Sequence, residues 1–255
     1  MALLHCRFFS NALKTASSVH VILPESGVAN PETKPAVVYL LHGLSDDDSV
    51  WVRRTSLERY VASMNVAVIM PNVHRSFYSD MVYGGAYWRF VSQELPEWVS
   101  RSFRVSSRGE KTFVAGISMG GYGAFKLALN YPERYKAAAS LSGALDLSNP
   151  VFRKRNDLRE ALELVYGGVD GFRSSENDLI YVMKTMGASP GNLPQMYQWC
   201  GTEDFLYDCN ASFRKAAEST GLSLTYREGP GGHEWGLWDV QIRRVFEWFA
   251  FGNGK

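Results

Sequence analysis

The chain is poor in cysteine, in histidine and in long apolar runs, and each scarcity removes a class of protein. Its three cysteines, Cys6, Cys200 and Cys209 in 255 residues, are odd in number and too few for a disulfide framework. They fit a reducing compartment. No stretch approaches the roughly 20 apolar residues that a membrane-spanning helix needs. His5 and Arg7 interrupt the opening Met1–Phe9, which lacks the apolar core and small-residue cleavage site of a secretory signal. A cytoplasmic location is the expectation. Lys+Arg total 27 and Asp+Glu 26, for a net charge of +1, so nothing suggests a nucleic-acid footprint or a polybasic membrane anchor. The five histidines form no His-x-His or His-Glu-x-x-His spacing, which argues against a metallohydrolase. No metal is expected.

What is present is an alternation. Hydrophobic residues make up 45% and charged residues 21%, ordinary for a globular protein. Short apolar runs alternate with helical patterns, which predicts a mainly parallel sheet covered by helices on both faces. Leu3–Ser10 and Ser18–Leu23 read as an antiparallel edge pair. Strands are expected at Ala36–Leu41, Val66–Met70, Lys111–Ile117, Tyr135–Leu141, Gln195–Cys200 and Ser223–Arg227. Leu57, Tyr60, Val61 and Met64 mark one helix face, and Ala86–Phe103 a longer helix that Pro96 kinks or restarts. Met119–Asn130, the region near Ala211–Ser219, and a closing stretch with Ile242, Val245, Phe246 and Phe249 on one face complete the helices. Residues 149–190 lack strand signals and read as a small cap-like insertion, so a single α/β domain over residues 1–255 is expected.

The chemistry gathers around Gly116-Ile117-Ser118-Met119-Gly120-Gly121. This is G-x-S-x-G between an apolar strand and a helix-forming run, the context in which the motif presents a serine nucleophile. A serine merely capping the helix is the plain alternative. A serine hydroxyl needs a general base. In α/β-hydrolases nucleophile, acid and histidine follow in that order, and only His233 lies downstream of Ser118. It occupies the glycine-rich Gly229–Trp235 loop. The acid should follow a strand and precede His233. Asp204, directly after the 195–200 run, does both; Glu203, Asp208 and Asp146 are its rivals. The oxyanion formed on attack needs two donors, expected to be the N–H of Met119 and, in His42-Gly43-Leu44-Ser45, that of Leu44. His42 reads as an orienter of its loop, and Asp46-Asp47-Asp48 as solvated loop charge, since the spacing matches no calcium loop. Trp51 reads as packing the loop down. Phe77, Tyr78, Tyr83, Tyr87 and Trp88 form an aromatic cluster, either a substrate wall (Tyr78, Tyr83 and Trp88 foremost) or ordinary core.

Over nearly its whole length the sequence resembles the esterase D family, specifically its tributyrin-esterase branch. The resemblance rests on Leu40–Ser45 with Ser49-Val50-Trp51, Met70-Pro71-Asn72, Gly116–Gly123, Leu141–Ala144, Cys200–Asp204 and Gly232–Trp235. It implies an α/β-hydrolase fold and an intracellular carboxylesterase for short acyl chains, cofactor-free and often homo-oligomeric. It maps the triad onto Ser118, Asp204 and His233 and the oxyanion donors onto Leu44 and Met119. The family loop often has glycine where this chain has Asp46, a residue that tolerates positive φ better than most. Relatives include S-formylglutathione hydrolases, acetyl-sugar and feruloyl esterases and mycolyl transferases, so a small-molecule ester is implied but no particular one.

Overall fold

The computed structural model describes residues 1–25, 33–185 and 193–251. In chain order the elements are β1 (Ala2–Ser10), β2 (Thr15–Leu23), β3 (Ala36–Leu41), α1 (Val50–Arg54), α2 (Leu57–Val61) and β4 (Val66–Pro71). Next come α3 (Tyr87–Arg89), a π-helical turn (Phe90–Glu94), α4 (Leu95–Ser102), β5 (Thr112–Ile117), α5 (Met119–Asn130) and β6 (Ala137–Leu141). The chain continues through α6 (Val151–Lys154), α7 (Asn156–Tyr166), α8 (Leu179–Thr185), β7 (Gln195–Gly201), α9 (Tyr207–Thr220), β8 (Leu224–Gly229) and α10 (Trp235–Phe249).

The eight strands form one sheet in the order β1-β2-β4-β3-β5-β6-β7-β8. From β3 to β8 all pairings are parallel, while β1–β2 and β2–β4 are antiparallel. This is the α/β-hydrolase fold expected from the sequence. Side-chain alternation splits the sheet between two cores. Val38, Leu40, Val68, Phe113, Ala115 and Ile117 face α1, α2 and α10. Val37, Tyr39, Ile69 and Val114 face α4, α5, α7 and α9. Every residue of β3 and β4 is buried, which is why those strands read as unbroken apolar runs.

Several expectations shift in detail: the strand expected from Ser18 begins at Thr15, and the one expected at Ser223–Arg227 spans Leu224–Gly229. The Leu57 helix ends at Val61, and the strand expected from Tyr135 begins at Ala137. The Pro96 region is neither a simple kink nor a restart. Leu95 N–H bonds to Phe90 O, five residues back, so one extra residue is absorbed just before the proline. Pro96 has no N–H for Ser92 O, and the Arg134 guanidinium takes that carbonyl at 2.5 Å. The part of the 149–190 segment beyond Thr185 lies outside the described residues. Phe152, Leu162, Val165 and Phe172 from the rest of it join the core beneath α5.

After β3 the chain turns to β4 on one side and then returns to β5 on the other. The sheet therefore reverses winding between β3 and β5, the kind of switch point at which open α/β sheets bind ligands beyond the C-terminal strand ends. Leu41 pairs with Gly116 across this point, so the His42–Ser45 loop and Ser118 leave the sheet side by side.

Candidate active site

Ser118 joins β5 to α5 with φ 53° and ψ −119°, a left-handed conformation that costs a non-glycine residue about 1–3 kcal/mol. Three backbone bonds hold it: Ser118 N–H to Leu141 O at 3.0 Å, and Ser118 O accepting from Tyr122 N and Ala144 N at 3.1 Å each. Close backbone packing supplies the rest. A Cβ on Gly116 would lie 2.4 Å from Gly120 C and O, and one on Gly120 would lie 2.3 Å from Leu41 O. Both glycines of the motif are thus needed for contact, strand against helix and helix against the neighbouring loop. The first N–H groups of α5 have no intrahelical acceptor, and Met119 supplies the first of them.

Asp204 and His233 stand at the same edge, after β7 and β8. Gly201 pairs with Gly229, and the two loops stay zipped beyond the strands. Thr202 N–H bonds to Gly229 O at 2.9 Å and Glu203 N–H to Gly231 O at 3.2 Å. The Asp204 side chain is fully buried. Its oxygens accept from Leu206 N–H at 2.8 Å and face His233 Nδ1 at 2.9 and 3.0 Å. An ionised carboxylate is acceptor-only, so Nδ1 carries the proton and Nε2 is left as the basic nitrogen. Phe205 lies against one side of the imidazole at 4.5 Å, and the Trp238 edge meets it at 4.7 Å. Trp238 Nε1 in turn donates to Ser142 Oγ at the end of β6, the strand next to Ser118. The rival carboxylates are engaged elsewhere. Glu203 accepts the Gly231 N–H and the Thr202 hydroxyl, which hold its carboxyl below the usual range. Asp146 takes Ser148 and Ser212, and Asp208 opens α9, exposed.

The His42–Ser45 loop is held from within. His42 Nδ1 donates to Gly43 O at 2.7 Å, and its Nε2 accepts from Val73 N–H at 3.1 Å. That pair of bonds requires the neutral ring, and burial pulls its pKa down to about 4. Gly43 O and Leu44 N–H belong to one trans peptide and point in opposite directions; by gripping the oxygen, His42 aims the N–H. Trp51 is fully buried and donates to Leu41 O at 3.2 Å, the packing role read from sequence. It meets Trp235, and Trp235 meets Trp238, each edge-on at 5.2 Å. An aromatic row therefore links the His42 loop to the His233 loop.

Several expectations need correction. Tyr78 is fully buried, with its hydroxyl on His42 O at 3.0 Å. Trp88 is buried, stacked on Tyr131. Both are core residues, not pocket walls: the 73–79 turn directs Tyr78 inward, and Trp88 is the buried residue of α3. Tyr83 is 68% exposed and tied by its N–H to Leu164 O. Asp48 is not solvated loop charge but buried, bonded to Ser18 Oγ at 2.9 Å and His20 Nδ1 at 2.8 Å. Asp46 does not use positive φ; its N–H closes a turn onto Gly43 O. The site neighbours Phe205, Trp235 and Trp238 escaped sequence reasoning, although all three lie within five residues of Asp204 or His233. Among the described residues, one group of three metal-capable side chains converges: His5, His20 and Asp48. Its imidazoles are stacked at 4.5 Å and 11°, so their lone pairs lie in near-parallel planes and do not meet at one ion. Also among the described residues, no helix is long and apolar enough to cross a membrane.

Comparison with known proteins bears on the family and the fold. A family model described as putative esterase matches residues 10–249. An acetyl esterase of Caldicellulosiruptor saccharolyticus is 30% identical over 98% of this chain and 98% of its own. Among solved structures, the fluorophosphonate-binding serine hydrolase FphF of Staphylococcus aureus superposes with a TM-score of 0.89, at 32% identity over 99% of both chains. An S-formylglutathione hydrolase (FrmB) of the same organism gives 0.86, at 33% identity over 97% of this chain and 98% of that one. The chain belongs to the putative-esterase family, similar to esterase D, and is a carboxylic ester hydrolase of α/β-hydrolase fold.

Proposed function

We propose that the chain is a short-chain acyl esterase of the tributyrin type that works through an acyl-serine at Ser118. The observation that carries the reading is the buried Asp204 carboxylate holding His233 Nδ1 at 2.9 Å, on the sheet edge that bears the strained Ser118 turn. Ser118 Oγ attacks the ester carbonyl carbon while His233 Nε2 takes its proton. Asp204 stabilises the imidazolium without accepting that proton. Leu44 and Met119 N–H groups receive the oxyanion. Collapse expels the alcohol, which takes its proton from His233, and a water deprotonated by His233 then releases the acid. Water is the only co-reactant.

Labelling with a fluorophosphonate, followed by peptide mapping, tests the nucleophile: an adduct on Ser118 is expected, and none there rejects the mechanism. A p-nitrophenyl series from acetate to octanoate tests chain length. Activity falling beyond butyrate is expected, and a maximum at octanoate rejects the short-chain reading. The 33% identity to a protein named S-formylglutathione hydrolase supports a second reading, a thioesterase. Higher kcat/KM on S-formylglutathione than on the best p-nitrophenyl ester would favour it. A cytoplasmic homo-oligomer belongs to the same proposal, supported by the family resemblance and by the free cysteines Cys6, Cys200 and Cys209.

A further inference from the structure

In the middle of α5, eight residues past Ser118, stands Lys126, and its side chain is completely buried. A buried ammonium is costly unless its donors are matched. Among the described residues no carboxylate lies within ion-pair distance of it. Its Nζ donates instead to Tyr78 O at 3.1 Å and Ser79 Oγ at 2.8 Å, and lies 4.1 Å from the centre of the Trp88 ring. The Tyr166 hydroxyl and Asn177 Oδ1 complete the surroundings of Ser79 Oγ.

The segment that Lys126 grips does not rest in a comfortable conformation. Phe77 and Tyr78 have φ of 49° and 51°, values that aromatic residues rarely adopt and that persist only under external restraint. Within the segment, Tyr78 N–H bonds to Ser76 Oγ and Ser79 Oγ to Phe77 O. From outside, Lys126 holds the Tyr78 carbonyl. The Tyr78 ring then lies flat on α5 at Gly123, where a Cβ would come within 2.4 Å of it. So placed, the ring delivers its hydroxyl to His42 O at 3.0 Å.

That carbonyl belongs to the peptide immediately before the one carrying Leu44 N–H. Two consecutive peptides are therefore clamped, His42–Gly43 by the Tyr78 hydroxyl and Gly43–Leu44 by the His42 ring. The first clamp is only as firm as the Tyr78 backbone, and Lys126 holds that backbone from outside the segment. We propose that Lys126 is a positioning residue which, through Tyr78, orients the Leu44 N–H toward the oxyanion. The inference rests on the reading of Leu44 as an oxyanion donor. It assigns Lys126 no contact with substrate, so its effect belongs in the chemical steps and not in ester binding.

The test uses the full-length enzyme, Tyr78→Phe, Lys126→Met and the double variant. Fluorophosphonate labelling of the wild type comes first; a label away from Ser118 rejects the esterase mechanism itself, before any variant is compared. With Ser118 labelled, each single variant is expected to lower kcat for p-nitrophenyl acetate about tenfold with KM unchanged, less than the 100-fold or more of losing a donor outright. Inhibition by a trifluoromethyl ketone, whose serine adduct carries an oxyanion, should weaken by the same factor. Because both residues act through one hydroxyl, the double variant should match the singles to within about threefold, whereas independent effects would multiply to about 100-fold. A wild-type kcat in Tyr78→Phe, multiplicative effects, or a rise in KM at constant kcat would each overturn the proposal. Tyr78→Phe removes one oxygen and keeps the ring, so its kcat and its inhibition constant decide the matter even if Lys126→Met does not fold.

Discussion

His42 shows how a single buried ring couples the site to stability. Its pKa falls from 6.5 to about 4 because burial disfavours the imidazolium, against weaker opposing contributions from the Gly43 carbonyl, Asp47 and Asp48. Between these two values the unfolded chain binds a proton that the folded chain refuses. The ring's contribution is therefore full above pH 6.5 and is lost as pH falls to 4, about 3 kcal/mol in all. Urea midpoints of the wild type should drop over that window, while those of His42→Gln, which keeps a donor and an acceptor without titrating, should drop less. Equal slopes for the two proteins would reject the assignment. His42 was legible in the sequence because its motif neighbours left it a loop to orient. Tyr78 and Trp88 were not, since a cluster of aromatics does not say which face of an irregular turn or a short helix each will take. Lys126 did leave a signal, as the one charge in Ala124–Leu129, an otherwise apolar stretch of helix.

Elements were most legible where one physical demand acted along their whole length. The buried strands β3, β4 and β5 were read to within a residue because burial on both faces leaves no polar positions. The π-helical turn before Pro96 was not legible. A one-residue bulge shifts the phase of a helix without changing its composition, and its Ser92 carbonyl finds Arg134, a partner 42 residues away. The junction of β5 and α5 makes a sharper claim. The Gly120 Cα faces the backbone where β3 becomes the His42 loop, with Leu41 O and His42 O at 2.3 and 2.7 Å from a would-be Cβ. Those atoms are backbone, and cannot swing aside as a side chain could. Gly120→Ala should destabilise the protein by about 1–3 kcal/mol or more and lower kcat by displacing the peptides beside Leu44. Chemical denaturation and steady-state kinetics on the purified variant would check both. Wild-type values for stability and kcat would mean that the contact is not tight.

At the scale of the whole molecule, the question is whether the helices α6–α8 are a lid over the site or a part of the frame. Sequence could mark the segment only by its lack of strand signals, because a helix pattern alone does not reveal what covers it. In the structure Phe152, Leu162, Val165, Tyr166 and Phe172 are buried in the core that also holds α5. Tyr122 of α5 donates to Asn177 O at 2.7 Å and meets the Tyr166 hydroxyl at 3.1 Å. Val82 and Tyr83 N–H groups bond to Val165 and Leu164 carbonyls. Burying a large apolar side chain contributes about 1.5–3 kcal/mol, so five of them amount to on the order of 10 kcal/mol. A domain's net stability is about 5–15 kcal/mol, and a segment with that share cannot detach while the rest stays folded. Leu162→Ala and Phe172→Ala should therefore each cost about 2–5 kcal/mol of global stability, in a single cooperative transition. Activity and far-UV circular dichroism should be lost at the same urea concentration. A lid would behave otherwise: the variants would keep the wild-type unfolding midpoint, and activity would vanish in a separate, earlier step. That separation, found for either variant, would return these helices to the role of a movable cover.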